Sequence, residues 1–553
     1  MDRSRNPGIF AGAQIGAMNT AALIACLYAG WKIAGLPFVP FDAFDWITRL
    51  LPEKVIDTGI DSMVAFIRAF HLGPTADVAK KIEQWSGIFG LFASGAILGS
   101  ALFGVLNFLK GKYASSLGPA LGAAGGVFSI YISLHRSQTS TVSPAAGAIW
   151  IMAVFITWGL VLGWMYKKLR AALTSGEIAA QKPQAPQTRF ERINRRKFLV
   201  RLAGATAVIT VSGAVIGRLS EYLKGQQALR ATQKEQERWS YNHALPNAGD
   251  PVKPAPGTRP EFTRLEDHYR IDINTVPPEI NGNVWRLKTG GLVERPVEFT
   301  LEDIKRYQPM HQFVTLACIS NPVGGDLTST TRWTGVSLQR ILPDLKLNRA
   351  ATHLKISSAD GFWEVVSLEQ IRADERIMLT YNWDGVPLFH EHGYPLRIYI
   401  PDLYGMKQPK WIERIEATNE WGPGYWVVRG WDKIARMRAT SVIDTIAIAN
   451  AYAGPGGQTL VPIGGIAHAG ARGMSRVELK VDNGPWRQAE LRSPISRTTW
   501  VVWRYDMPFE PGEHKFTVRC FEGDGTPQIT EVNPPEPSGA TGLNSKSKDF
   551  GRT

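Results

Sequence analysis

The stretch TLACISNPVGG, Thr315 to Gly325, places a cysteine where a strand gives way to a loop. Phe313-Val314-Thr315-Leu316-Ala317 is apolar and β-prone, and the polar, glycine-containing run after Cys318 cannot continue it. Only three cysteines occur in 553 residues, so one placed where a side chain can face a pocket needs a reason. Three reasons are open. A buried cysteine commonly serves as a small hydrophobe. A nucleophilic cysteine wants a nearby histidine, and only His311 precedes it closely. A thiolate also suits a soft transition metal. Cys26 and Cys520 lie far off, in an apolar stretch and a later strand, and no CxxC or CxxCH occurs. That pattern argues against a disulfide framework, a zinc ribbon, a cysteine-held cluster and covalently attached c-type haem.

The chain is too long for one core and implies about three or four domains. Before residue 220, five apolar stretches at about 8–36, 86–109, 114–134, 144–166 and 198–217 approach or exceed the ~20 residues that a helix needs to cross a bilayer. All are rich in glycine and alanine, which suits close helix packing in lipid. The formal net charge is +13. Many of its lysines and arginines sit in short segments between apolar stretches, which points to a membrane protein and away from a nucleic-acid binder. Arg3 and Arg5 precede the first stretch, Lys110 and Lys112 separate the second from the third, and nine cations from Lys167 to Lys197 separate the fourth from the fifth. With five spans these segments share one side. The N-terminus is then cytoplasmic and everything after residue 220 outside. The expectation is a multi-pass inner-membrane protein with its soluble half on the periplasmic or extracellular face.

Residues 46–70 carry apolar side chains at helical spacing with Asp57, Asp61 and Arg68 between them, and read as one amphipathic helix on the outer surface. Asn194-Arg195-Arg196-Lys197-Phe198-Leu199 resembles a twin-arginine export signal. No small-residue cleavage site follows, so the segment is expected to stay as an anchor. The histidines before residue 220 are His71 and His135, neither deep in a stretch, so no b-type haem is expected. Residues 221–262 begin helix-compatible and end proline-rich, a linker pattern. Beyond them short strands and helices alternate, with Thr300 a helix N-cap. From about 440 the pattern is all β, with a hairpin turn at Asp482-Asn483-Gly484.

From about 263 to 530 the chain resembles the sulfite oxidase family of molybdopterin enzymes. Ala317-Cys318-Ile319-Ser320-Asn321 resembles the family's molybdenum-ligating loop, and Thr331-Arg332-Trp333-Thr334-Gly335 the segment after it. Glu391-His392-Gly393-Tyr394-Pro395-Leu396-Arg397 matches the pattern HGxPxR, and Gly405 to Ile412 matches GxxxxKW. The resemblance implies that Cys318 places a thiolate on molybdenum, beside two pterin dithiolene sulfurs and two oxo groups. It implies pterin contacts from Asp360, His392, Arg397, Gln408, Pro409 and Lys410, with Tyr269 and Arg270 a looser match. Arg332, Tyr425 and Arg472 complete the implied catalytic set with Cys318. Val323 stands where sulfite-oxidising members carry an arginine, five residues past the cysteine. Arg472 matches an arginine that reaches from the C-terminal domain toward substrate. One cation for an oxyanion is kept and another is missing, which implies a polar or anionic substrate but poor handling of sulfite.

The expected architecture is an all-α membrane domain of about five spans (1–220), a linker (221–262), an α+β molybdopterin-binding catalytic domain (263–439), an immunoglobulin-like β-sandwich of the dimerisation type (440–532) and a C-terminal tail (533–553). The expected function is oxygen-atom transfer on a small polar or anionic substrate. The cofactor is Mo-molybdopterin, without haem or iron–sulfur cluster. Electrons pass to or from a separate carrier, a cytochrome or quinol. The other partners are the lipid bilayer and a second copy in a homodimer, with no nucleic acid. Reduction of an S-oxide or N-oxide is the second enzymatic reading. A non-catalytic, membrane-tethered binding protein is the third, and the retained Cys318 argues against it.

Overall fold

The computed structural model describes residues 6–70, 72–135, 142–180 and 236–551. Among these, two compact units are formed. A helical unit takes Met1–His71, Val78–Ala231 and the short stretch Ile273–Glu279, and a β-rich unit takes Leu72–Asp77, Thr232–Asp272 and Ile280–Thr553.

The helical unit comprises α1 (Ile9–Ala34), α2 (Val39–Leu50), α3 (Glu53–Ala69), α4 (Thr75–Phe108), α5 (Ala114–Leu134) and α6 (Pro144–Ala180). Four of these, α1, α4, α5 and α6, are long and apolar enough to cross a membrane. They coincide with the first four apolar stretches. Helix α4 begins eleven residues earlier than hydropathy alone indicates, because its first turns carry Asp77, Lys80, Lys81 and Glu83, which are helical but polar. The fifth stretch, 198–217, the twin-arginine pattern before it and residues 221–235 lie outside the described residues. The single amphipathic helix expected over 46–70 is instead two helices, parted at Leu51-Pro52. Leu51 is extended, with φ −68° and ψ 143°, the region into which a proline pushes its predecessor.

Glycine sets how closely the long helices approach. A Cβ on Gly16 of α1 would lie 2.2 Å from the Gly95 carbonyl oxygen of α4, and one on Gly159 of α6 would lie 2.2 Å from that of Gly118 on α5. No side chain fits at either crossing, so backbone meets backbone. Leu27, Phe38, Phe103, Leu106, Phe155 and Leu162 fill the interior.

In the β-rich unit, one five-stranded sheet runs in the order Glu298–Phe299, Leu287–Gly291, Ile412–Thr418, His353–Ser358, Trp363–Ser367. A second runs Met310–Ala317, Thr328–Ser337, Met378–Trp383, Val386–Pro387, with Arg397–Tyr399 also paired to Met378–Trp383. Leu287, Val336, Leu354, Leu379, Ile398 and Ile415 draw residues of both sheets into one core. Thr300 caps the helix Leu301–Lys305 as expected, accepting from Asp303 N at 3.1 Å within a capping box.

C-terminally, two further antiparallel sheets share the core of Ile443, Ile463, Leu479, Trp503, Phe516 and Val518. Two expectations need correcting here. Residues 533–553 do not end as a plain tail: Asn544–Asp549 pairs with Glu513–Glu522, and Phe550 is buried in the same core. The sequence hid this strand because its serines and lysines lie on an exposed edge without apolar alternation. The proline-rich 246–260 is irregular, with turns at 246–249 and 256–257, and it is not a free linker. Arg492 donates to the carbonyls of Asn247 at 2.8 Å and Val252 at 2.8 Å, and Arg259 pairs with Asp444 at 2.7 Å. A proline-rich chain outside helix and sheet leaves carbonyls available for such capture.

Candidate active site

Cys318 follows strand Met310–Ala317, whose last residue pairs with Thr328 on the returning strand. The ten residues between close on themselves. Cys318 N donates to Leu327 O at 3.0 Å, Asn321 N to Cys318 O at 3.1 Å, and Leu327 N to the Asn321 side chain at 3.0 Å. The thiol is thereby held at a fixed place. It is 8 % exposed, lies 3.0 Å from Ser320 Oγ, and packs against Tyr269 and Leu327. Burial pushes its pKa up, and Ser320 opposes this. A coordinated metal ion would displace the proton. On the other side the turn Gly405–Lys407 comes close: a Cβ on Gly405 would sit 3.1 Å from Tyr269 Oη and 3.5 Å from Ala317 O.

Beside this loop lies a buried cationic cluster. Arg397 donates to His392 O at 3.0 Å, and its guanidinium stands 4.5 Å from the Trp333 ring centre. Lys410 Nζ donates to Ile271 O at 3.0 Å and Glu391 O at 3.1 Å. Asp272 holds Arg270 at 2.8 Å and stands 3.6 Å from Lys410. Burial lowers the Arg397 pKa to about 10. It lowers that of Lys410 to about 7, with Asp272 opposing. His268, lowered to about 3 by burial, and His392, also lowered well below its usual value, are both neutral. They meet edge to face at 5.2 Å, and His392 lies 4.6 Å from Trp383. Asp360 is buried, accepts from Phe362 N at 3.0 Å and acts on the charge of Lys410. Gln408 donates to Leu403 O at 2.8 Å, and Pro409 O accepts from Ile398 N at 3.1 Å.

Arg397 Nε, His268 Nε2 and Gln408 Oε1 are buried without a hydrogen-bond partner in the protein. Buried polar atoms are seldom left so. Together with cations drawn toward neutrality by desolvation, they fit a polar, anionic group such as a phosphorylated cofactor. The soft thiol of Cys318 fits a transition metal. Sulfate binding to the cofactor-free chain tests the cluster, since sulfate keeps its charge near neutrality. As pH rises through about 7 the Lys410 ammonium loses its proton, so affinity is expected to fall about tenfold between pH 6 and pH 8. A flat titration profile would show that Lys410 does not face the anion.

The residues expected to contact the pterin lie in and around this cluster, but two of the expected catalytic residues, Arg332 and Arg472, do not stand as the sequence suggested. Arg332 pairs with Phe313, five residues before Cys318, which is ~17 Å along a strand. Its guanidinium lies 5.2 Å from the Trp239 ring centre. Tyr425 is buried against Phe362 and Trp363, with the Arg429 guanidinium 3.6 Å from its ring centre. Arg472 is held by the carboxylates of Asp402 and Glu522 and donates to Met437 O at 2.7 Å. It is therefore not the unpaired cation that the substrate argument required. Its partners lie 70 and 50 residues away in sequence, beyond what local reading can see. Conversely, sequence reasoning passed over His268 and Asp272. The dense run His268-Tyr269-Arg270-Ile271-Asp272 was the available signal. It also passed over the buried pair Glu364–Lys407, 2.9 Å apart.

Comparison with known proteins agrees with this geometry. Residues 273–426 match the family described as oxidoreductase molybdopterin binding domain. The uncharacterized oxidoreductase YuiH of Bacillus subtilis (strain 168) is 30% identical over 147 residues, 27% of this chain and 72% of that protein. Mitochondrial sulfite oxidase of Mus musculus is 24% identical over 287 residues, 44% of this chain and 52% of that protein. Nitrate reductase 2 (NADH) of Phaseolus vulgaris is 25% identical over 317 residues, 47% of this chain and 34% of that protein. The chain thus spans about half the length of the sulfite oxidase and a third of that of the nitrate reductase. With the loop of Cys318 and most of the cationic cluster inside the matched span, the chain belongs to the sulfite oxidase family of molybdopterin-dependent oxidoreductases.

Proposed function

We propose that this chain is a membrane-anchored molybdenum enzyme that transfers an oxygen atom between water and a small polar substrate and exchanges electrons with a separate carrier, a cytochrome or quinol. One observation carries the reading: a buried, rigidly held thiol stands beside buried cations whose polar atoms are not all satisfied within the protein. In this reading Cys318 holds molybdenum, and Tyr269, Arg270, Asp360, His392, Arg397, Gln408, Pro409 and Lys410 hold the pterin and its phosphate. The bound cofactor supplies oxygen-atom transfer and two-electron redox chemistry. The protein's share is to bind and orient. Arg397 and Lys410 offset the phosphate charge. Neutral His268 and His392 pack without adding charge, and the buried Tyr269 phenol keeps its proton, its pKa raised by burial.

Anchoring is supported by counting crossings. Helix α2 lies between α1 and α4 in sequence, and Ser133 near the end of α5 donates to its Asp42 at 2.7 Å. Ile273–Glu279 is held at the same end, where Thr275 N donates to Asp45 of α2 at 2.9 Å. Helix α6 then leads to the opposite face. An odd number of further crossings is needed before Ile273, and 198–217 is the apolar stretch that suits one. The cations at the α4–α5 turn and in the last turns of α6 support reading that opposite face as cytoplasmic. We read the two C-terminal sheets as an immunoglobulin-like dimerisation domain.

A second reading, reduction of an S-oxide or N-oxide, gains from the engagement of Arg472 by two carboxylates, since an uncharged oxide needs no free arginine. The reading as a whole is tested on protein purified from a cofactor-competent host, where about one molybdenum and one pterin per chain are expected. A metal-free preparation would remove it. A reporter fused after residue 225 is expected to be active only outside the cytoplasm; the reverse would overturn the orientation.

A further inference from the structure

Two short segments belong to a unit other than that of their sequence neighbours. Ile273–Glu279 follows directly on His268–Asp272, yet it is part of the helical unit. Within that unit Thr275 donates to Asp45 through both its amide, at 2.9 Å, and its hydroxyl. Arg49 of α2 donates to the Asn274 side chain at 2.8 Å, and Lys80 of α4 to the Asn274 carbonyl at 3.0 Å. Asn274 and Thr275 are 0% and 1% exposed, and Val276 packs on the helical core. Conversely Leu72–Asp77, which leads into α4, is part of the β-rich unit. There Thr75 N, in the first turn of α4, donates to Asp326 at 2.9 Å. A carboxylate is favoured at that position by the helix dipole. Asp326 precedes Leu327, whose carbonyl accepts the Cys318 amide at 3.0 Å.

We propose that Asp45, Arg49, Lys80 and Asp326 are positioning residues for the cofactor site, so that the helical half of the chain is a scaffold for that site as well as an anchor. This rests on the molybdopterin reading above. The strap fixed by Asp45, Arg49 and Lys80 starts one peptide bond after Asp272, whose side chain is fully buried and holds both Arg270 and Lys410. Two residues of chain span at most ~7 Å. The anchored strap therefore limits where the Asp272 backbone can lie, and loosening it would loosen the mount of the two cations. Asp326 acts on the other flank, where it steadies the loop that delivers Cys318.

The test uses the full chain in detergent micelles and two readouts: amide hydrogen exchange in 268–280 and 318–328, and the rate at which pterin, followed by its fluorescence, leaves the protein. Asp45→Ala and Asp326→Ala are expected to exchange about tenfold faster or more at Thr275 and Thr75, the scale of losing a hydrogen bond to a charged acceptor. They are also expected to release pterin several-fold faster. Asp45→Asn and Asp326→Asn, which keep the acceptor oxygen, should lie close to wild type in both readouts. Thr275→Val removes only the strap's hydroxyl and serves if Asp45→Ala does not fold. Unchanged exchange in the alanine variants would overturn the clamp. Faster exchange with unchanged pterin release would reduce it to a structural tie. Wild-type protein without pterin would sink the molybdopterin reading, and the exchange data would still judge the clamp.

Discussion

Cys318→Ser is expected to lose more than about 10³-fold of oxygen-transfer turnover, whether or not molybdenum is retained, because the substitution touches the reacting centre itself. Serine is close in size, and Ser320 Oγ already lies 3.0 Å from the sulfur, so the loop should still close through the amide of residue 318 and Leu327 O. What changes is the donor atom, oxygen in place of sulfur. A hydroxyl has a far higher pKa than a thiol, so it gives up its proton to a metal less readily, and its oxygen lacks the polarisable, electron-donating character of sulfur. Metal analysis and turnover are measured on the same preparation. Loss of molybdenum or a loaded but inactive enzyme would each fit. Turnover within tenfold of wild type would exclude Cys318 as a ligand, and with it the assignment of the site.

How much of this was legible beforehand depended on the reach of each signal. Cys318 was readable because a strand, a cysteine and a glycine loop are contiguous, and the structure keeps them so. Four long helices were readable because hydropathy is summed over about twenty neighbours. The break at Leu51-Pro52 was missed although its cause is local, because apolar spacing was followed across a proline. Arg472 was misjudged for the opposite reason. A sequence shows that an arginine is charged, but not that Asp402 and Glu522 fold onto it. The last strand, Asn544–Asp549, carries no apolar alternation to read, and only pairing with Glu513–Glu522 defines it. Arg332 sits in a matching motif, but strand register carries it away from the thiol.

Val323→Arg is expected to improve sulfite oxidation roughly 10- to 150-fold, the worth of one charged hydrogen bond of ~1.5–3 kcal/mol. The backbone permits the change. Gly325 N donates to Pro322 O at 2.9 Å and Gly324 has φ +84°, so Pro322 to Gly325 form a type II turn with Val323 at its second position, which tolerates most residues. Val323 is half-buried, and an arginine there can keep its stem packed while its head reaches out. The loop is the one that carries Cys318, so the new charge enters beside the proposed metal position. Arg472→Ala should behave differently. Its guanidinium is engaged by Asp402 and Glu522, and removing it leaves Glu522 without this partner and Asp402 with Arg436 alone, at a cost of about 3 kcal/mol in stability. Steady-state kinetics with sulfite and an artificial acceptor, together with thermal unfolding, separate the two cases. If wild type already turns sulfite over efficiently, Val323 is no handicap and sulfite is the natural substrate. If wild type is poor and Val323→Arg gains nothing, the pocket has no place for an anion, and the uncharged S-oxide or N-oxide becomes the substrate to try next.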